Sequence, residues 1–302
     1  MLFLVILLYA LFGFTFTLGK IVLFYASPFF VVATRMMIGG LALMAYLTFF
    51  HKIKCWPHKN DFWLFAQFIF FNICAFYGSR SWALQYLTTS KAALLMNLSP
   101  FFTALLAYIF LKEKISLLKA LGLFIGFSGM LPILIAQSSP EENIWGSIAF
   151  LSTPELVLIC AVGCLSYSMI VMQKLVKHRN VNPILVNSIS MVYGGAAMGL
   201  TSIARAEKMI FGDPVLFWSV IGMQIIVSNI LCSNLQAFLL RTYSTTFLAF
   251  ASFISPLCAL GYGALLLNEV ITWHFFASFF IVIIGLTIFY VDDIRQGKLT
   301  QA

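Results

Sequence analysis

The sequence predicts an all-α integral membrane protein with ten transmembrane helices arranged as two inverted five-helix repeats. Three observations lead to this fold class. Hydrophobic residues make up 62% of the 302 residues and charged residues only 9%, whereas a soluble domain has about 25% charged residues. Apolar stretches of about 20 residues, the length that spans a hydrocarbon layer of roughly 30 Å, follow one another along the chain. Landmarks of the first half also recur in the second half.

Short polar breaks divide the apolar sequence into ten segments. These predict helices over Leu2–Tyr25, Phe29–Phe50, Phe62–Leu84, Ala92–Leu111, Leu117–Ala136, Leu151–Leu175, Pro183–Ser202, Val215–Leu240, Thr246–Leu267 and Thr272–Val291. Only a few residues join the third segment to the fourth, so these two must be antiparallel neighbours. The longest polar connections hold about a dozen residues, which leaves no room for a soluble catalytic or nucleic-acid-binding domain.

Basic residues predict how the chain is oriented, because lysine and arginine collect in cytoplasmic loops. With a cytoplasmic N-terminus, the inner ends of the segments hold twelve lysines and arginines and the outer ends hold three. We therefore expect both termini in the cytoplasm, with a tail at residues 293–302, and a location in a bacterial inner (plasma) membrane. The formal net charge of +8 then reflects topology and predicts no nucleic-acid partner.

The two halves of the sequence share landmarks in register. Ser99-Pro100 aligns with Ser255-Pro256. The same shift pairs a glutamate and a glycine of each half: Glu113 with Glu269 and Gly129 with Gly285. Since five spans are an odd number, the second half is inserted upside down. We expect one repeat over residues 1–137, an outer acidic loop over 138–150 and the second repeat over 151–292, with a substrate site near mid-membrane where they meet.

These landmarks belong to a longer pattern, and the chain resembles the drug/metabolite transporter superfamily in its ten-helix EamA-type branch. The residues that carry the resemblance are Phe12-Gly13-Phe14, Lys20, Pro28, Arg35, Ala92-Ala93-Leu94-Leu95, Ser99-Pro100, Glu113, Gly122, Gly126, Gly129, Ser255-Pro256, Glu269 and Gly285. The family often has tryptophan at the position of Phe12. The resemblance implies a basket of ten helices around a central cavity, alternating access, and substrates that range from amino acids to nucleotide-like metabolites.

Two cations inside the predicted spans, Lys20 and Arg80, are candidates for substrate binding. An ionised side chain at bilayer depth costs about 2.5–3.5 kcal/mol on insertion scales, so a retained one meets a counter-charge or a wet path. No carboxylate lies deep in a predicted span, so these cations would suit a substrate carboxylate or phosphate. Alternatively, both side chains snorkel to the outer surface. For Arg35, near the outer start of the second segment, we favour a structural or gating role.

Neutral polar residues extend this candidate site. In an α-helix, Asn72, Phe76 and Arg80 would share one face. The repeat shift carries this face onto Ser228, Cys232 and Gln236. Three further polar candidates are Asn97, Gln224 and Asn229. These side chains either line a midplane site or form interhelical hydrogen bonds, which also use Asn, Gln and Ser.

Aromatic residues and prolines complete the candidate list. Trp82, Tyr86, Tyr167 and Phe250 could form a wall that stacks on a planar or cationic group, although Trp82 and Tyr86 also suit an interfacial anchor. Pro100 and Pro256 lie within the fourth and ninth segments, where a proline removes a backbone hydrogen bond. They would serve as paired hinges or as static kinks. We expect Glu113 and Glu269 to act as capping or ion-pairing residues.

The sequence therefore predicts a secondary transporter that moves a small organic metabolite by alternating access. Enzyme, cofactor and metal-site motifs are missing from the sequence. The unmatched cations and aromatic residues favour an amino acid or an amino-acid-derived zwitterion or anion, of which S-adenosylmethionine is one example among substrates of the family. The alternative is a flippase or accessory protein for lipid-linked groups. The expected partners are the substrate and the bilayer; oligomeric state, direction of transport and coupling stay open.

Overall fold

The structure is a computed structural model that describes residues 2–51, 61–111, 117–129, 132, 147–148, 151–243, 248, 251–252, 254–269 and 273–295. The described helices are α1 (Leu2–Leu23), α2 (Pro28–His51), α3 (Phe62–Leu84), α4 (Thr89–Met96), α5 (Ser99–Leu111), α6 (Leu117–Ser128), α7 (Thr153–His178), α8 (Pro183–Ala204), α9 (Pro214–Thr242), α10 (Ile254–Leu267) and α11 (Trp273–Arg295). Two antiparallel two-residue strands, β1 (Ser147–Ile148) and β2 (Leu151–Ser152), precede α7.

Six of the described helices are long and apolar enough to cross a membrane: α1, α2, α3, α7, α8 and α9. The helix α10 and the first part of α11 are apolar but shorter. Large apolar side chains such as Phe49, Leu200 and Leu265 are exposed on the outside of the bundle, where lipid would cover them. The prediction of a helical integral membrane protein is confirmed.

The fourth predicted segment is two helices. The amides of Asn97 and Leu98 bond to carbonyls three residues earlier, which tightens the end of α4. Pro100 is the second residue of α5 and has no N–H with which to continue the ladder. The expected position of Pro100 inside a helix is therefore wrong, since it lies in a first turn. Pro256 is likewise the third residue of α10, and not an interior residue.

Equivalent stretches of α3 and α9 are π-helical. These stretches are Ile69–Gly78 and Ile225–Cys232, and their first residues are 156 positions apart. A π-helix pairs each amide with the carbonyl five residues back, so it holds more residues per turn than an α-helix, and such segments are frequent at functional sites. The spacing of side chains along α3 and α9 therefore departs from the α-helical pattern.

Glycines allow α2 to pack closely along α8. A Cβ atom added to Gly40 would lie 2.8 Å from the amide nitrogen of Val192, and one added to Gly195 would lie 2.9 Å from that of Met37. As the residue number rises along α2 it falls along α8, so the two helices run antiparallel at this contact. The helices α6 and α11 meet in the same manner, through Gly129 and Gly285.

We expect Gly285→Ala to destabilise the protein by about 1–3 kcal/mol, the usual cost of overpacking. The added Cβ would lie 2.5 Å from the backbone nitrogen of Gly126, so α11 has to move away from α6. The matched control is Gly261→Ala in α10, where the new Cβ meets no atom within 4 Å. Thermal unfolding in detergent measures both; equal midpoints for the two variants would contradict the close contact.

Candidate functional site

A central cavity lies among α1, α3, α4, α5, α7, α9 and α10. Both halves of the chain line it, and several lining residues are separated by the repeat shift of 156 positions. These pairs are Tyr9 with Leu165, Arg80 with Gln236, Met96 with Ser252 and Ser99 with Ser255. A substrate site was predicted where the two halves meet; residues of both halves line this cavity, and its use as a substrate site stays a prediction.

Arg80 is the charged side chain among the described residues that line this cavity. It is only 6% exposed, and its guanidinium carbon lies 4.1 Å from the centre of the Phe16 ring. Its Nε and Nη2 atoms have no hydrogen-bond partner in the described part of the chain. The face of the Phe16 ring is attracted to the cation, but it accepts no full hydrogen bond. Arg80 therefore holds donors available for an anion.

Arg35 lies behind the cavity wall. It is 1% exposed, and its guanidinium carbon is 4.6 Å from the centre of the ring of Tyr77, which lines the cavity. It interacts electrostatically with Arg80, and its Nε and Nη2 atoms lack a hydrogen-bond partner among the described residues. Arg35 is thus more deeply buried than its place near the start of α2 predicted.

Neutral groups and rings complete the cavity wall. Asn97 is 2% exposed, and its Nδ2 has no hydrogen-bond partner within the described residues. Gln236 is hydrogen-bonded to Tyr9. The Ser255 hydroxyl donates to the carbonyl of Tyr9 at 2.8 Å, which fixes α10 against α1. Rings reach the cavity from both α1 and α3, and they are Tyr9, Phe12, Phe16, Phe76 and Tyr77.

Asn72 lines a second, smaller cavity with Tyr77 and Gln236, which also line the first one. Phe76 and Arg80 line the central cavity, and Asn72 does not. These three α3 residues were predicted to share one face, and the structure divides them between the two cavities. On α9, Ser228 and Gln236 line the central cavity, whereas Cys232 is fully buried.

The structure places five other candidates outside the described wall of the central cavity. Lys20 donates from Nζ to the carbonyl of Leu87, and Tyr167 donates to Oε1 of Gln67 at 3.2 Å. Trp82 packs on Tyr86, with ring centres 5.2 Å apart. The remaining two are Gln224, which lies beside Gly19, and Asn229, whose Nδ2 lies 3.1 Å from the sulfur of Met36. Phe250 is outside the described residues.

Tyr9, Phe16 and Tyr77 line the central cavity but were not among the predicted site residues. The positions of Tyr9, Phe12 and Phe16 are spaced by three and four residues, so they share one face of α1. That aromatic face was a usable signal. Tyr77 carried no such signal in the sequence.

A buried ion pair lies at the end of the bundle that is predicted to face outward. Nζ of Lys91 is 2.7 Å from Oε1 of Glu155, and both side chains are buried. Beside it, Glu269 accepts hydrogen bonds at 2.7 Å from the amide and the hydroxyl of Thr89. Glu269, which was expected to cap the turn after its own helix or to form an ion pair, thus caps the first turn of α4; Glu113 is outside the described residues. The ion pair joins α4 of the first half to α7 of the second half, and the hydrogen bonds of Glu269 join α4 to the residues that follow α10.

Comparison with known proteins identifies relatives over nearly the whole chain. The EamA-like transporter family matches residues 1–135 and 152–291. An S-adenosylmethionine/S-adenosylhomocysteine transporter of Chlamydia muridarum is 31% identical, over 95% of this chain and 91% of its own length. The protein of the same name from Chlamydia trachomatis serovar L2 is 30% identical, over 94% of this chain and 86% of its own length.

A crystal structure of a protein with 14% identity has a TM-score of 0.67 and covers 97% of this chain and 96% of its own, which shows a shared fold. The family match extends over both halves of the sequence, and the bundle of apolar helices around a central cavity agrees with it. The chain belongs to the EamA-like transporter family, and it is a membrane transporter and not an enzyme.

Proposed function

We propose that the protein carries an amino-acid-derived zwitterion of the S-adenosylmethionine and S-adenosylhomocysteine type across the membrane by alternating access. The observation that carries this proposal is Arg80, which presents unpartnered N–H donors to a central cavity walled by aromatic rings. Relatives named as transporters of these two compounds, at 30–31% identity, support the same substrate class.

The chemistry of the cavity matches the parts of such a substrate. The guanidinium of Arg80 would receive the carboxylate in a two-point, charge-assisted hydrogen bond. Ring faces attract a cationic group, which suits the sulfonium of S-adenosylmethionine, and they also stack on a planar adenine. The amide of Asn97 and the hydroxyl groups of the wall supply neutral hydrogen bonds. Arg35, behind Tyr77, adds positive potential that favours the carboxylate end near Arg80.

Uptake into proteoliposomes tests this function. Radiolabelled S-adenosylmethionine should accumulate with saturation, and unlabelled S-adenosylhomocysteine should compete. Adenosine, which lacks the amino-acid group, should compete poorly. A lipid-linked substrate would instead give no saturable uptake of any soluble compound, which would favour the flippase alternative.

We further propose that the two halves form an inverted repeat. The contacting glycines support this arrangement, since Gly40 and Gly195 are 155 positions apart and each packs on the residues three and four positions before the other. Gly39 packs on Asn229 and Gly194 packs on Ile73, a second pair of equivalent contacts, since Asn229 is 156 positions after Ile73. The helix neighbours follow the same exchange, because α1 packs on α9 and α3 packs on α7. Antiparallel contact between equivalent helices is what an upside-down second half requires.

Alternating access needs a seal on one side of the substrate site. The links among Lys91, Glu155, Thr89 and Glu269 bury charged and polar groups where α4 meets the second half, and this end faces outward in the predicted topology. The central cavity extends from Arg80 towards Leu240 and Leu248, near the opposite ends of α9 and α10. We therefore propose that this conformation is closed to the outside, with Lys91 and Glu155 as the outer gate.

We expect Glu155→Gln to open the outer side more often, because Lys91 loses its counter-charge in a buried site. Removal of one partner of a buried ion pair costs about 3–5 kcal/mol, and exposure of Lys91 to water relieves that cost. A cysteine placed at Ser252, in a background without the native cysteines, reports access. A membrane-impermeant maleimide should label it from outside faster in Glu155→Gln than in the parent.

The matched control is Asp213→Asn, which changes an exposed outer carboxylate that caps α9. Its labelling rate should equal that of the parent. If Glu155→Gln is labelled no faster than this control, Lys91 and Glu155 do not form a gate.

A further inference from the structure

We infer that, when no substrate is bound, the central cavity holds a small inorganic anion, chloride in ordinary solution, on the donors of Arg80 and Asn97. The inference rests on the proposed function in one respect, because it places chloride where the substrate carboxylate would bind. The anion site itself follows from the charges and donors of the cavity, whichever substrate is carried.

The positive charge at the cavity has no balancing carboxylate in the described wall. Arg80 is buried in the cavity wall, and the buried guanidinium of Arg35 lies 4.6 Å from the centre of the Tyr77 ring, which lines the same cavity. None of the described residues that line the cavity is acidic. The described carboxylates of Glu155, Glu207 and Glu269 are engaged elsewhere, with Lys91, Ser202 and Thr89. A buried charge without a counter-charge is strongly unfavourable, so two neighbouring cations call for an anion from solution.

The unpartnered atoms of Arg80 and Asn97 share one chemical character. Nε and Nη2 of Arg80 and Nδ2 of Asn97 have no partner in the described structure, and all three are hydrogen-bond donors. A cation would accept no hydrogen bond from them, and the oxygen of a neutral guest would accept from few of them. An anion is the guest whose hydrogen-bonding chemistry matches such donors, and the buried positions of Arg80 and Asn97 keep bulk water from satisfying these groups.

A chloride ion in this site would compete with the substrate. Chloride carries a single negative charge and has no hydrogen-bond donor. It therefore brings no N–H or O–H group that would need an acceptor in a site that offers only donors. A substrate carboxylate needs the same donors of Arg80, and the two must therefore exclude each other. Chloride at ten times its own Kd should raise the apparent Kd of S-adenosylmethionine about 11-fold by simple competition.

Thermal unfolding of the purified protein tests the site. Sodium chloride replaces sodium gluconate at constant ionic strength, and the midpoint should rise with chloride because an anion bound to the native state stabilises it. Bromide should act in the same way. Arg80→Gln should remove the response, whereas the matched variant Arg205→Gln should keep it, since Arg205 is an exposed arginine that also lies over a phenylalanine ring.

A second variant covers the case in which Arg80→Gln fails to fold. Asn97→Asp puts a carboxylate into the cavity wall, and it should remove the chloride response with a midpoint in gluconate no lower than that of the parent. An equal response in the parent, Arg80→Gln and Asn97→Asp would mean that chloride acts at the surface, and the inference would be overturned. No response in the parent would also overturn it.

The outcomes separate this inference from the proposed function. Chloride-independent binding of S-adenosylmethionine would leave the function in place and reject the anion site. Chloride stabilisation through Arg80 without binding of S-adenosylmethionine or S-adenosylhomocysteine would keep the anion site and reject the proposed substrate.

Discussion

Replacement of Arg80 by glutamine should lower kcat/KM for the uptake of S-adenosylmethionine by about 10²–10³-fold. Truncation of one partner of a buried, hydrogen-bonded charge pair costs about 2–5 kcal/mol, and 3–4 kcal/mol corresponds to that factor. Arg80→Lys keeps the charge and loses the two-point fork, so it should retain part of the activity. Initial rates in proteoliposomes of equal protein content measure all three proteins.

Stability separates a binding role of Arg80 from a structural one. If Arg80 binds substrate, the empty protein carries an uncompensated buried charge, and Arg80→Gln should raise the melting temperature in chloride-free buffer. If Arg80 instead holds the helices together, the same variant should melt lower. Arg205→Gln, with its exposed side chain, should change neither transport nor melting; a loss of uptake in this control as large as that in Arg80→Gln would count against a specific role for Arg80.

Removal of the substrate carboxylate should have an effect of the same size. Decarboxylated S-adenosylmethionine keeps the adenosine and the sulfonium but offers nothing to the guanidinium of Arg80. The donors then stay buried and unpaired, which is the situation that gives sites built for hydrogen bonding a discrimination of about 10⁴ in favourable cases. We expect at least about 10²-fold weaker competition than with S-adenosylmethionine itself, measured as inhibition of labelled uptake.

The two changes should also depend on each other. In Arg80→Gln the carboxylate has lost its partner, so its removal from the substrate should make little further difference. This non-additivity is the signature of a direct contact in a double cycle. Full additivity of the two losses would place the carboxylate somewhere else in the cavity.

The membrane character and most span positions could be predicted because the length of an apolar stretch is a local property of the sequence. Arg80 was recognisable for the same reason, as a cation within such a stretch. Lys20 met the same criterion, yet its amine binds the carbonyl of Leu87 beyond the end of α3. The sequence does not tell whether a long side chain finds a ligand-facing cavity or a neighbouring backbone carbonyl.

The parts that could not be predicted depend on distant or cooperative structure. Asn72 lines the smaller cavity while Phe76 and Arg80 line the central one, a division that the spacing of four residues along a helix does not indicate. Glu155 lies near Leu151, the predicted outer start of its helix, yet its side chain is fully buried. Its burial follows from the pairing with Lys91, which is 64 positions earlier in the sequence. Pro100 was placed in a helix interior because the tight turn before it leaves no composition signal.

The glycine contacts between α2 and α8 have a consequence for how defects combine. Under the proposed inverted repeat they are isologous, as in a two-fold symmetric dimer, since each half would offer the same surface to the other. A methyl group on Gly40 and one on Gly195 are both accommodated by the same outward shift of the two helices. The first substitution therefore bears most of the cost, and the double variant should lose less stability than the sum of the single variants.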